Sequence, residues 1–233
     1  MGTSASNSGG TGGAWTGFKR DASSFARHGG QSRAARALGG HVATLGGAAG
    51  ATGAAGVGIR TGQSLARFLA GSTGPTGLAG GLEEVGLGNL VGADRFTILS
   101  ELLDRFAGPG SDLEAQAARD ALLDVLDEVL PEDDVALDDV RLDEAAVIDL
   151  LQRYLSALVY NRAIPVIDER LTRLQDQQLA QRRDWELRDF ITALVRLRTQ
   201  GSEPLSIDWS GPAGQAFIER MLRAVYDQLE EWG

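Results

Sequence analysis

DRFTILSELLDRFAGPGSDLEAQAARDALLDVLDEVLP, residues 94–131, decides the fold class. Phe96, Leu99, Leu102, Leu103 and Phe106 recur at the three- and four-residue spacing of one helical face, and Gly108 with Pro109 stops the run. Ser111 and Glu114 then stand at capping-box spacing. Leu113, Ala117, Leu122, Val125, Leu126 and Val129 predict a second buried stripe, which Pro131 ends. Two amphipathic helices joined by a Gly-Pro-Gly turn leave little room for a sheet.

The same pattern continues on the C-terminal side. DEAAVIDLLQRYLSALVYNRAI (143–164) is long and apolar enough for a central core helix. Pro165 either kinks it or separates it from VIDERLTRLQDQQLAQRRD (166–184). WELRDFITALVRLRTQ (185–200) predicts a further helix stopped by Gly201. A last one begins at Ser210 and Pro212 and turns Phe217, Ile218, Leu222, Val225 and Leu229 inward. No stretch alternates apolar and polar residues as a strand would, and the expected fold is all-α.

Composition divides the chain. Of its 31 glycines, 25 lie in residues 1–92. Three regions follow: a flexible N-terminal tail at 1–20, a Gly/Ala-rich helical region at 21–92, and an amphipathic helical bundle at 93–233. Within the middle region, RDASSFARH offers Phe25 as an anchor, SRAARALG places alanines and Leu38 on one face, and GQSLARFLAG gathers Leu65, Phe68 and Leu69. Glycine is expected to break these helices from one another, and small side chains let helices approach closely.

Charge is polarised in the same sense. The formal net charge is −10, but residues 1–92 carry plus four and the remainder minus fourteen. So acidic a module repels phosphate backbones, which argues against sequence-specific nucleic-acid binding and confines any contact to the front half. The weakly apolar run 38–59 is mostly Gly and Ala, a poor membrane span. A cytoplasmic protein without stable membrane association is expected.

Few residues offer chemistry of their own. There is no cysteine, Lys19 is the one lysine, and His28 and His41 are the two histidines, neither near a carboxylate at metal-ligand spacing. GVGIRTG (56–62) and GLGNLVG (86–92) depart from the dinucleotide fingerprint and are expected to be loop or helix-break glycines. PEDDVALDDVRLDE (131–144) lacks calcium-loop spacing and is expected to be a solvated loop. The two histidines are expected at the surface or at helix caps. No catalytic residue, metal site or cofactor of its own is expected, and the protein is expected not to be an enzyme.

The opening residues stand apart. MGTSAS satisfies the short myristoylation pattern through Gly2 and Ser6, but one acyl chain without a basic patch anchors only marginally. MGTSASN (1–7), FARHGGQSRAARALGGHVATLGG (25–47) and GLGNLVGADRFTILSELLDRFAGPGSDLEAQAARDALLDVLDEVL (86–130) resemble, in that order, the QatB family of the bacterial Qat anti-phage defence system. The likeness runs over roughly the first 130 residues and fades in the C-terminal helices.

That resemblance implies three partners: a QatA-like ATPase, a QueC-like enzyme (QatC) and a TatD-like nuclease (QatD). QueC enzymes activate the carboxylate of a 7-deazaguanine with ATP so that ammonia attacks the adenylate. A QueC-like enzyme devoted to defence implies a protein amine in place of ammonia, here the amine of Gly2 after removal of Met1. Gly2, Thr3, Ser4, Ala5 and Ser6 would enter the partner's active site, and Gly2 would be conjugated to the 7-deazaguanine by an amide bond. An α-amino group has a pKa of about 7.7 to 8.0, so roughly a tenth is neutral at pH 7, more than an ordinary lysine offers. Gly2 adds no steric hindrance, and the glycine-rich residues from Ser8 to Gly13 would supply an unfolded spacer. Two other roles remain open: a scaffold joining ATPase and nuclease without modification, and a membrane-active effector using residues 38–59.

Overall fold

The computed structural model describes residues 11–132 and 134–233. These residues form ten α-helices and three short 3-10 turns, with no strand among them. The helices are α1 (Thr11–His28), α2 (Gln31–Thr44), α3 (Gly47–Ala54), α4 (Gly56–Gly71), α5 (Gly77–Glu84), α6 (Arg95–Ala107), α7 (Leu113–Val129), α8 (Glu144–Leu171), α9 (Gln177–Arg198) and α10 (Pro212–Trp232). The all-α expectation is borne out.

The chain divides into two compact units. One takes the described residues of Met1–Gly53 together with Ala163–Phe190 and Tyr226–Gly233; the other takes Ala54–Arg162 and Ile191–Val225. The fall in glycine content at residue 92 marks no division in the packing, because α4 packs with α6 and α7.

In the first unit, α1 and α2 form an antiparallel-type hairpin in sequence, joined by Gly29 and Gly30 with φ of 62° and 90°, a conformation that favours glycine. Phe18, Ala22, Phe25 and Ala26 recur along α1 at helical spacing and are buried, as are Ala34, Leu38 and Val42 of α2. Phe25 is the anchor its position suggested. Gly39 and Gly40, expected to interrupt a helix, lie inside α2. A Cβ at Gly40 would stand 3.1 Å from the Cα of Phe18, and one at Gly39 would stand 2.6 Å from the Cα of Gly233. The absence of side chains there lets α2 meet backbone on two sides.

The start of α1 corrects the tail boundary. Residues 11–20 are helical, so neither the flexible segment to residue 20 nor the unfolded spacer to Gly13 extends that far. Trp15 lies tilted against Phe18 with 6.0 Å between ring centroids, and the burial of Phe18, Ala22, Phe25 and Ala26 outweighs the helix-weakening glycines at 12, 13 and 17.

In the second unit, Leu65, Phe68 and Leu69 of α4, Leu102 of α6 and Leu122 of α7 build the core. The glycines of GVGIRTG lie inside α4 and not in a loop. A Cβ at Gly58 would come within 2.7 Å of Leu158, and one at Gly62 within 2.8 Å of the Tyr154 ring, both on α8. Tyr154 completes that contact by donating its hydroxyl proton to the Gly58 carbonyl at 2.7 Å. These glycines are close-packing positions.

Helix ends differ in detail from the sequence expectation. Asp94 caps α6, accepting from the Thr97 amide at 2.9 Å. The N-cap of α7 is Asp112, whose carboxylate accepts from the Ala115 amide at 2.8 Å, so the Ser111–Glu114 capping box does not form. Glu114 instead makes a two-pronged ion pair with Arg162 of α8, at 2.6 Å and 2.9 Å. Phe96 and Leu113, counted with the apolar stripes, are exposed in the first turns of α6 and α7, and Ile98 takes the core place. Pro165 lies inside α8 on an exposed position, where the carbonyl freed by its missing N–H can meet water. The break falls later, between Leu171 and Gln177, so residues 177–198 form one helix. In α10, Phe217, Ile218, Leu222, Val225 and Leu229 are all buried, as their spacing predicts.

Asp149 of α8 ties α9 into the second unit, accepting from Arg153 Nε at 2.6 Å and Arg196 Nη2 at 2.9 Å. Burial disfavours its ionised form, but the hydrogen bonds and charges of Arg153 and Arg196 together outweigh burial and hold its pKa below the ordinary aspartate value. A carboxyl whose pKa is lower folded than unfolded adds stability above its unfolded value of about 3.9, and that stability disappears as pH falls through the folded value. Asp149→Asn should therefore lower Tm at pH 7 and flatten the fall in Tm between pH 5 and pH 3, measured by thermal melts across that range.

The Arg162 side chain is only 2% exposed, and Glu114 neutralises it. Removing one partner of a buried pair costs about 3 to 5 kcal/mol, and the partial exposure of Glu114 places Glu114→Gln near ~3 kcal/mol. Urea unfolding of the variant should show that loss as a lower midpoint at unchanged slope.

Candidate functional site

The five residues expected to reach a partner's active site, Gly2, Thr3, Ser4, Ala5 and Ser6, lie outside the described residues. The described residues begin with the helix that follows them in sequence. Thr11 opens α1, which leaves residues 2–10 between the Gly2 amine and the first helix. At about 3.3 Å per residue, nine residues fully extended span at most roughly 30 Å.

The base is fixed by one apolar face. Phe18 is fully buried, and its ring lies 5.2 Å from the imidazole of His41 on α2. His41 is thus buried under α1, which corrects its expected place at the surface or at a cap. His28 is exposed in the last turn of α1. The opposite face of α1 is polar: Lys19 is exposed, and Arg20 pairs with Asp21 at 3.0 Å. That contact and the charge of Asp21 raise the pKa of the Arg20 guanidinium.

Two carboxylates from distant sequence hold the helix starts of this unit. Glu186 of α9 accepts from the Gly30 amide at the N-cap of α2, at 3.2 Å across 156 residues. Glu230 of α10 accepts from the Ala48 amide in the first turn of α3, at 3.0 Å across 182 residues. Each places negative charge where unpaired amides and the helix dipole favour it. Neither α2 nor α3 has a capping side chain of its own in sequence, so reading along the chain could not have found these partners.

The remaining sequence candidates carry no assembled chemistry. Glu132, Asp134, Asp138 and Asp139 of the acidic stretch are exposed, in keeping with a solvated loop. Among the described residues no group of three or more His, Asp or Glu is placed to hold a metal ion. Residues 38–59 are divided among α2, α3 and α4, and no helix of the described residues is long and apolar enough to cross a membrane.

Comparison with known proteins gives one result. No curated protein and no solved structure matches the chain. The family model described as Qat anti-phage system associated protein QatB matches residues 46–229. The likeness therefore extends through the C-terminal helices, where it was expected to fade, and begins after α1 and α2. Because that match covers most of α3 to α10, the chain belongs to the QatB family of proteins associated with the Qat anti-phage system.

Proposed function

We propose that this protein is a non-enzymatic, cytoplasmic component of the Qat defence system and the protein substrate of its QueC-like enzyme. The partner converts the carboxylate of a 7-deazaguanine and ATP into an acyl adenylate and pyrophosphate. The neutral amine of Gly2, exposed by removal of Met1, attacks the acyl carbon. An amide bond forms, AMP leaves, and the amine gives up a proton. This chain supplies the nucleophile and its positioning, and the partner supplies activation.

The observation that carries this reading is the opening MGTSASN, whose Gly2 is unhindered and whose next residues are narrow. The start of α1 at Thr11 supports it, because a substrate segment needs a folded base behind it. Thr3, Ser4, Ala5 and Ser6 would follow Gly2 into the active-site channel of the partner. The ATPase and the TatD-like nuclease of the system would act on or with the conjugate.

One observation favours a scaffold instead. The family match covers the helical body and begins at residue 46, well after the tail. An unmodified adaptor would use that body alone. The membrane-active alternative receives no such support.

Mass spectrometry of the N-terminal peptide, from protein co-expressed with the QueC-like partner, separates the two. The expected product lacks Met1 and carries one deazapurine acyl group on Gly2. An unmodified terminus in the presence of active enzyme and substrate would refute conjugation. Deleting residues 2–7 should abolish phage protection while leaving the melting temperature unchanged; retained protection would establish the scaffold.

A further inference from the structure

Three arginines of the first unit surround one recess. Arg27 comes from the last turn of α1, Arg170 from the last turn of α8, and Arg173 from the turn that follows it. With Ser23, Ala26 and Leu174 they line a cavity of about 260 Å³, and no carboxylate is among the lining residues. In a chain of net charge −10, so local a surplus of guanidinium is unexpected.

The charges are not balanced from nearby. Glu169 pairs with Arg173, and its other oxygen stands 3.9 Å from Arg170, too far for a hydrogen bond. Arg27 makes no ion pair among the described residues. One carboxylate thus serves three guanidiniums, leaving plus two. The C-terminal ends of α1 and α8 each contribute about half a negative charge, which still leaves roughly plus one. The Arg170 side chain is only 17% exposed, and its buried Nε–H has no hydrogen-bond acceptor among the described residues. Native interiors seldom leave such a donor unmatched.

Geometry and chemistry together define the missing acceptor. Guanidinium forks match the oxygens of a phosphoryl group two at a time, and Ala26 and Leu174 add apolar lining beside them. The volume admits one or two phosphoryl groups. We propose that the recess formed by Arg27, Arg170 and Arg173 binds a phosphoryl oxyanion, either free phosphate or pyrophosphate or the terminal group of a nucleotide. The C-terminal end of α1 and the turn after α8 are then bridged by ligand.

The test is an amide NMR titration of the full chain with inorganic phosphate, at ionic strength held constant by chloride. Saturable shifts confined to residues 23–27 and 170–174 are expected. Shifts that do not saturate, that lie elsewhere, or that chloride reproduces would overturn the proposal. Arg27→Gln and Arg173→Gln should each weaken phosphate binding about tenfold, the loss expected for one charge-assisted contact. Arg36→Gln, an exposed change on α2 outside the recess, should leave it unaltered. Equal weakening by all three would reduce the effect to diffuse charge and refute a built site. Parallel titrations with pyrophosphate and ADP identify the source: tighter binding of ADP marks a nucleotide, and tighter binding of pyrophosphate marks the free anion.

Discussion

Everything in the first unit depends on the backbone contact that Gly39 and Gly40 allow. Glycine in a helix interior costs about 1 kcal/mol relative to alanine, and α2 carries two in succession. That cost is offset because α2 can approach α1 on one side and the end of α10 on the other, closely enough that a Cβ would collide. Close approach multiplies weak dispersion contacts and brings Phe18 down onto His41. With glycines at 12, 13 and 17, α1 would be marginal as an isolated helix in water. It is the packing on α2 that makes it a firm base for whatever precedes it.

The second unit solves the same problem with the same device. Gly58 and Gly62 stand four residues apart on one face of α4, and Tyr154 and Leu158 stand four apart on the facing side of α8. Large side chains on one helix fill the space that glycines leave on the other. The hydrogen bonds from Tyr154 to the Gly58 carbonyl and from the Thr61 hydroxyl to the Phe106 carbonyl at 3.1 Å then satisfy polar groups that close packing shuts away from water. Gly39, Gly40, Gly58 and Gly62 are thereby explained as packing requirements, whereas Gly29, Gly30, Gly46, Gly47, Gly77, Gly86 and Gly92 take the positive φ that favours glycine.

How much of this was legible follows from which forces act locally. The stripes of α10 and most of those in α6 and α7 depend on periodicity alone, and they read correctly. Phe96 and Leu113 misled because a first-turn position can fit the period yet precede the surface it would pack on. Ser111 was one residue from the true cap, Asp112, and both residue types favour that role. Gly39, Gly40, Gly58 and Gly62 misled for a deeper reason: local propensity says break, whereas partners on distant helices say close approach. Glu186 and Glu230 were invisible as caps because their helices lie more than 150 residues away along the chain. As for the candidate acceptor, Gly2 came from a family likeness, with no periodicity or spacing behind it.

The family model matches from residue 46, within the helical body and clear of the proposed substrate segment. Positions in α3 to α10 answer to many neighbours at once, since a changed volume at Tyr154 or Leu158 is felt by α4 across the contact. A substrate segment answers to fewer demands. It needs a primary amine, no side chain on the first residue, narrow residues behind it and enough length to reach. Such demands can be met by many short sequences of Gly, Ser, Thr and Ala, whereas the residues before the match also include the packed helices α1 and α2. By the same physics, the features that could make Gly2 a good nucleophile are those that leave no packing signature. Chemistry at this terminus therefore has to be sought in the mass of the peptide, while kinship is registered by the helices.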